Sequence, residues 1–238
     1  MTLPRYAGAL ATTGVFMLLV GCGGGHFGST LSASPRPQPL HQADGATLRL
    51  PQEAPFSIAL PQSSRAAGLG GQADADAQAK SDGQAEVSAR VTTSGTAEGL
   101  FQLGHALSND TDRQADVDFR VRFTYEFETR AGPDVRQPDA AVGLKLYARD
   151  QRGRLLREMT LVSHTTESGP TSRQSTEDLR FTLTVGPGTA LDVFLAGQAR
   201  VEISADRSAS ARLALRDLQI EVVSRPAPAV RTASHERP

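Results

Sequence analysis

Between Ala46 and Val223 the dominant period of apolar and polar side chains is two. The clearest run is Ala115 to Glu128. Ala115, Val117, Phe119, Val121, Phe123, Tyr125 and Phe127 alternate there with Asp116, Asp118, Arg120, Arg122, Thr124, Glu126 and Glu128. Successive side chains of a strand face opposite ways, so this spacing gives one core face and one wet face. A helix would spread the same residues around its circumference. Fully extended, the run spans roughly 46 Å at about 3.3 Å per residue, longer than a usual strand, so a bend or bulge is expected within it. Its aromatic content marks it as a central strand.

The same pattern recurs at Ala85–Val91, Phe101–Leu107, Val142–Ala148, Leu179–Val185, Leu191–Leu195 and Val201–Ala205. Asp150-Gln-Arg-Gly153 suits a tight hairpin, with a return strand from Arg154 to Val162, and Gly186-Pro187-Gly188 suits another turn. The last segment changes parity. Ala211, Leu213 and Leu215 are odd, while Leu218, Ile220 and Val222 are even, so a bulge or a crossing between sheets is expected near Arg216–Asp217. About ten short strands with one-sided faces imply an all-β antiparallel β-sandwich, jelly-roll-like, with no substantial helix apart from a signal peptide at the start of the chain. The charged wet faces discourage edge-to-edge pairing. Residues 62–84 carry Ala73, Ala75, Ala77 and Ala79 between Asp74, Asp76 and Gln78. Alanine is a weak strand former, which leaves an edge strand and a loop equally open there.

The chain start reads differently. After Arg5 comes an uncharged, mostly apolar stretch from Tyr6 to Gly21, shorter than the roughly 20 apolar residues of a spanning helix and closer to a signal-peptide core. It ends in Leu19-Val20-Gly21-Cys22. This tetrapeptide resembles the lipobox of bacterial lipoproteins. The resemblance covers the first 22 residues and no more. It implies cleavage before Cys22, a diacylglyceryl thioether on its sulfur, and a fatty amide (palmitate-type acylation) on its new amino terminus. Each buried methylene contributes about 0.8 kcal/mol, so several chains anchor stably where one does not. Gly23 follows, where Asp is the usual inner-membrane retention signal, so the resemblance favours the outer membrane.

The domain reading is therefore a signal peptide over 1–21, a flexible Gly/Ser/Pro tether over 22–45, a sandwich over 46–224 and a disordered tail over 225–238. Glycine and serine loosen the first half of the tether, and Pro35, Pro37 and Pro39 stiffen the second. His26 and His41 lie in it as solvated side chains.

Composition then narrows the function. The 238 residues carry 25 basic and 26 acidic side chains, a formal charge of −1, which argues against a nucleic-acid partner held by bulk charge. One cysteine excludes an internal disulfide and a cysteine-based zinc site. No tryptophan and 5% aromatics argue against a large aromatic-lined sugar cleft. No nucleophile-elbow, phosphate-loop or zinc-protease motif is present. Ser163, His164 and Glu167 fall together in an expected polar loop from Ser163 to Glu177, as chance allows. His105 is in phase with Phe101, Leu103 and Leu107, which reads as an inward, hydrogen-bonded core histidine. Asn109-Asp110-Thr111-Asp112, with Asp116 and Asp118 behind, offers oxygen ligands for calcium, and is also ordinary turn chemistry. Tyr147 is out of phase with Leu144 and Leu146, so it should face solvent, where a sugar ring could stack on it.

These features point to a lipid-anchored cell-envelope sandwich acting as a structural or interaction module. Neither a catalytic residue nor a cofactor is identified, and Cys22 is the one assigned site, for lipid. The expected partners are the membrane, through that lipid, and an envelope protein or glycan. A carbohydrate- or ligand-binding sandwich is the alternative. A hydrolase with a loop-assembled site is a further one.

Overall fold

The computed structural model describes residues 36–40, 46–131 and 139–226. They form ten strands and a single 3₁₀ turn, Thr166–Ser168. The strands are β1 (Gln38–Pro39), β2 (Thr47–Leu50), β3 (Ile58–Ala67), β4 (Gln72–Lys80), β5 (Gln84–Asn109), β6 (Ala115–Arg130), β7 (Ala140–Asp150), β8 (Leu155–Thr165), β9 (Thr171–Val185) and β10 (Thr189–Pro226). Cys22 and residues 1–21, expected to be a signal peptide, lie outside the described residues, as does the tail beyond Pro226.

All ten strands belong to one hydrogen-bonded sheet that is folded over on itself. Two strands, β5 and β10, run through both halves, paired antiparallel from Leu215↔Ala85 to Thr189↔Asn109. In the front half the order is β4, β5, β10, β6, β9. In the back half it is β3, β5, β10, β7, β8. Both halves are thus walls of one antiparallel jelly-roll-like sandwich. The segments expected separately at Ala85–Val91 and Phe101–Leu107 are one strand, and so are those at Leu191, Val201 and Ala211.

Backbone geometry shows where the sheet turns over. In β5 the bend falls at Thr93 (φ 72°) and Gly95 (φ 140°). Directly opposite, the β10 register shifts between Ile203 and Arg207. A side chain at Gly95 would also meet the carbonyl oxygen of Ala66 at 2.5 Å, so the bend needs glycine twice over. The connections β3–β4 and β8–β9 turn at the same line. Buried polar groups hold it. Thr166 Oγ1 accepts from the backbone N–H groups of Asp139 and Ala140 at 3.0 and 3.1 Å. The carboxylate of Asp139, only 3% exposed, lies 3.3 Å from Arg207 Nη1.

The core lies between the walls. Leu103, Leu144, Val117, Val121, Val193 and Leu213 are fully buried, each contributing about 1.5–3 kcal/mol relative to exposure. β6 alternates buried and half-exposed positions along nearly its whole length, as its period requires. Two expectations for it are corrected. It has no bulge, because its ladder with β9 runs unbroken from Ala115 to Thr129. The irregularity sits in the partner strand, between Arg216 and Gln219 of β10, with Asp217 at φ 54°. The central strand of the front wall is β10, with β6 beside it.

The tether reading also needs correcting at its end. Gln38 and Pro39 pair in parallel with Leu107 and Ser108, and Leu40 is buried. A polar strand of two residues has no period to betray it. Arg225 and Pro226, assigned to the tail, still pair with Asp116 and Ala115. Residues 72–80 are an edge strand, β4, and its alanines pack against the core. Most of the expected 163–177 loop is strand too, since only 166–170 separate β8 from β9.

Replacing Phe123 by Ala is expected to cost about 3–5 kcal/mol in chemical denaturation, given its 1% exposure. Gly95→Ala is expected to lower the melting temperature clearly, whereas Gly153→Ala, strained by its φ of 76° but facing open space, should lower it less.

Candidate functional site

Polar positions of the front wall project from its outer face, where two neighbouring halves behave differently. Over β6 and β9 the polar side chains satisfy one another across the strands. Arg120 Nε donates to both oxygens of Asp178 at 2.9 and 3.1 Å. Thr182 and Thr184 donate to Asp118 and Asp116 at 2.6 and 2.8 Å, and Thr124 bonds Thr176 at 3.1 Å.

Over β4, β5 and β10 the surface is hollow. The cause is side-chain length. The outward residues of β10 there include Ser208, Ser210 and Ala214, while the flanking columns carry Glu86 and Arg90 on β5 and Glu128 and Arg130 on β6. Ser210 lies between Arg90 and Arg130 in register. The result is a trough of about 820 Å³. A second hollow of about 310 Å³ continues along β10 to Asp217. From Ser208 to Asp217 the strand rises roughly 30 Å. Between the two hollows Arg212 Nε donates to Glu86 Oε1 at 2.7 Å. Arg65 Nη1 meets Asp74 Oδ1 at 3.3 Å on the rim. Among the described residues, Arg90 and the hydroxyls of Ser88, Ser208 and Ser210 have no partner in the protein. Sequence reading passed over this trough because serine between arginines on a polar strand face carries no distinguishing signal.

Positions singled out from sequence fare unequally. Tyr147 does point from the outer side of the back wall, but it is only 7% exposed. Its ring stacks on Phe194 at 5.5 Å between centroids. The Arg149 guanidinium lies 4.5 Å from the Phe194 centroid and 5.7 Å from that of Tyr147. Tyr147 is therefore a packed ring and no open platform. Burial raises the Tyr147 phenol pKa and lowers that of Arg149. Burial also raises that of Asp192, which faces Arg149 in register.

His105 is inward and 3% exposed, as its phase requires. Its Nδ1 accepts from the Ser57 backbone N–H at 3.2 Å, and Nε2 lies 2.9 Å from Gln38 Oε1. Those partners suit the neutral ring protonated on Nε2, and burial lowers its pKa. Ser163 and Glu167 are exposed, while His164 turns inward, with its ring 5.4 Å from that of Phe127. The three do not converge. Asn109 is fully buried, and its amide donates to the carbonyls of Arg113, Val185 and Gly186 at 2.8–3.1 Å. Its own oxygen accepts from Thr111 Oγ1 at 2.7 Å. That ties the β5–β6 turn to the β9–β10 turn, which is turn chemistry. Asp110 and Asp112 stand outside this clamp. Among the described residues no group of three or more His, Cys, Asp or Glu is arranged to hold a metal ion.

No family model matches the sequence, and no curated protein does. Solved structures match this chain at 12% identity. One is the family 11 carbohydrate-binding module of a cellulosomal cellulase of Clostridium thermocellum, with 75% of this chain and 95% of that one covered and a TM-score of 0.26. Another is the same organism's family 11 module in complex with a β-1,3-1,4-mixed-linked tetrasaccharide, with 75% and 96% covered and a TM-score of 0.25. An arabinose-bound α-L-arabinofuranosidase matches over 76% of this chain and 29% of its own, at a TM-score of 0.21.

One pH effect follows from His105. The unfolded ring protonates near its ordinary pKa of 6.5, whereas the folded ring resists protonation. Stability is then fully present above that pH and falls as the pH drops through it. The denaturation midpoint should fall between about pH 7.5 and about pH 5.5, and His105→Gln should flatten that slope.

Proposed function

We propose that this chain is a lipid-anchored binding module of the cell envelope, which presents the outer face of its front wall to a ligand. The observation that carries the binding reading is the trough along β10. Its lining holds unpartnered hydroxyls and two unpartnered guanidiniums, those of Arg90 and Arg216, on rigid paired strands. The lipobox-like Leu19-Val20-Gly21-Cys22 supports the anchor, and no helix of the described residues is long and apolar enough to cross a membrane. The non-catalytic reading is supported by the trough's own chemistry. Asp74, Glu86 and Glu128 each pair with an arginine, and histidine and cysteine are missing from its lining. Carboxylates already engaged by arginines in this way suit recognition of a ligand.

Cys22→Ser is expected to move the protein from the membrane pellet to the soluble envelope fraction, and a variant that stays in the pellet would refute the anchor. Ser210→Tyr fills the trough without touching the core. It should reduce capture of envelope material by the full-length, detergent-solubilised chain roughly tenfold. Undiminished capture would place the binding surface elsewhere.

A further inference from the structure

We infer that the ligand of the trough is an extended, uncharged polysaccharide chain lying along β10. This rests on reading the front face as a binding surface. Three features of the trough argue for it together.

The first is shape. The two hollows follow one strand for roughly 30 Å, a footprint for several residues of a polymer rather than for one small molecule. The second is charge. Six basic side chains, Lys80 and Arg216 among them, are interspersed with five acidic ones, Asp217 among them, so both signs face any occupant. A polyanion would run against the carboxylates and a polycation against the guanidiniums, and each would lose more to repulsion than an uncharged chain. The third is the kind of contact on offer. No aromatic ring lines either hollow. A peptide gains most of its binding energy from large side chains set in desolvated apolar pockets, which this floor does not provide. Nor can it add as a strand, because the backbone groups beneath are already paired across β5, β10 and β6.

Sugar hydroxyls match what remains. Each both donates and accepts, as the free hydroxyls of Ser88, Ser208 and Ser210 do. Arg90 adds a planar fork of donors, and Asp76 and Glu128 supply acceptors. Without a stacking ring, selectivity comes from hydroxyl orientation alone. The Arg212–Glu86 pair crosses the trough midway and divides it into two lengths, one on each side.

Affinity electrophoresis of the full chain tests this, using gels that contain dextran, a mannan or a β-glucan as uncharged polymers. Gels with polygalacturonate as polyanion and chitosan as polycation serve as counterparts. The expected result is retardation by at least one uncharged polymer, unchanged as salt rises from about 0.05 to about 0.5 M. Arg90→Ala should weaken that retardation about tenfold, because a hydrogen bond to a charged group is lost. The same variant should melt with the wild type, since Arg90 is exposed and unpaired. Retardation only by polygalacturonate or chitosan, fading with salt, would overturn the inference, as would passage through every uncharged polymer without delay. If no polysaccharide is retained while Ser210→Tyr still abolishes capture of an envelope protein, the ligand class is wrong and the binding module stands. If Ser210→Tyr also changes nothing, both readings fall.

Discussion

The hydrogen-bonded pair β5–β10 is the constraint on which the rest of the molecule depends. Each strand serves both walls, so neither wall can form or move without the other. A bend in one strand must coincide with a bend in the other, or the ladder between them breaks. Thr93 and Gly95 meet that demand on one side, and the register shift before Arg207 meets it on the other. The remaining columns need no continuous bend, because β3 and β4, and β8 and β9, are separate strands that meet at the same line. Asp139, Arg207 and Thr166 supply the polar contacts a buried corner requires, since backbone groups there have left the ladder.

The outer faces inherit their character from this frame. Strand parity sends every second residue outward, and the core takes the others. On the back wall the outward residues include Phe194, Tyr147 and Ile58, which cluster and bury one another. On the front wall they are polar, so their arrangement is set by cross-strand pairing. Where Thr and Asp or Arg and Asp stand opposite each other over β6 and β9, the side chains satisfy one another. Where serine stands between arginines, the surface stays open. The trough is thus a consequence of side-chain length along one strand.

How much was legible in the sequence depended on whether a segment had an apolar face. β6 could be read almost residue by residue, because Phe119, Phe123 and Phe127 alternate with charge. The parity change at Arg216–Asp217 was equally plain, since a one-residue slip moves every later side chain to the other face. The turn at Gly153 and the inward phase of His105 followed in the same way. Segments with two polar faces carried no such signal. β3 from Pro61 onward is exposed on both sides, and the first half of β9 has Arg173, Ser175 and Glu177 at its inward positions. Their pairing is dictated by the neighbours they dock on. Continuity through Thr93–Gly95 was also hidden, because Thr92-Thr93-Ser94-Gly95 reads as a turn. Tyr147 misled for a related reason. Parity tells which side of a wall a residue leaves from, and says nothing of what its neighbours on that side cover.

The position of β10 in chain order has a kinetic consequence. It hydrogen-bonds β2, β5, β6 and β7, all of which precede it. Until it arrives, the front wall lacks its middle and the back wall has only two-stranded fragments, which are marginal in water. Loop closure over such separations precedes the reward of contact, so folding is slow and late. A chain built this way cannot close either wall while it is being made, and does so only once β10 is free.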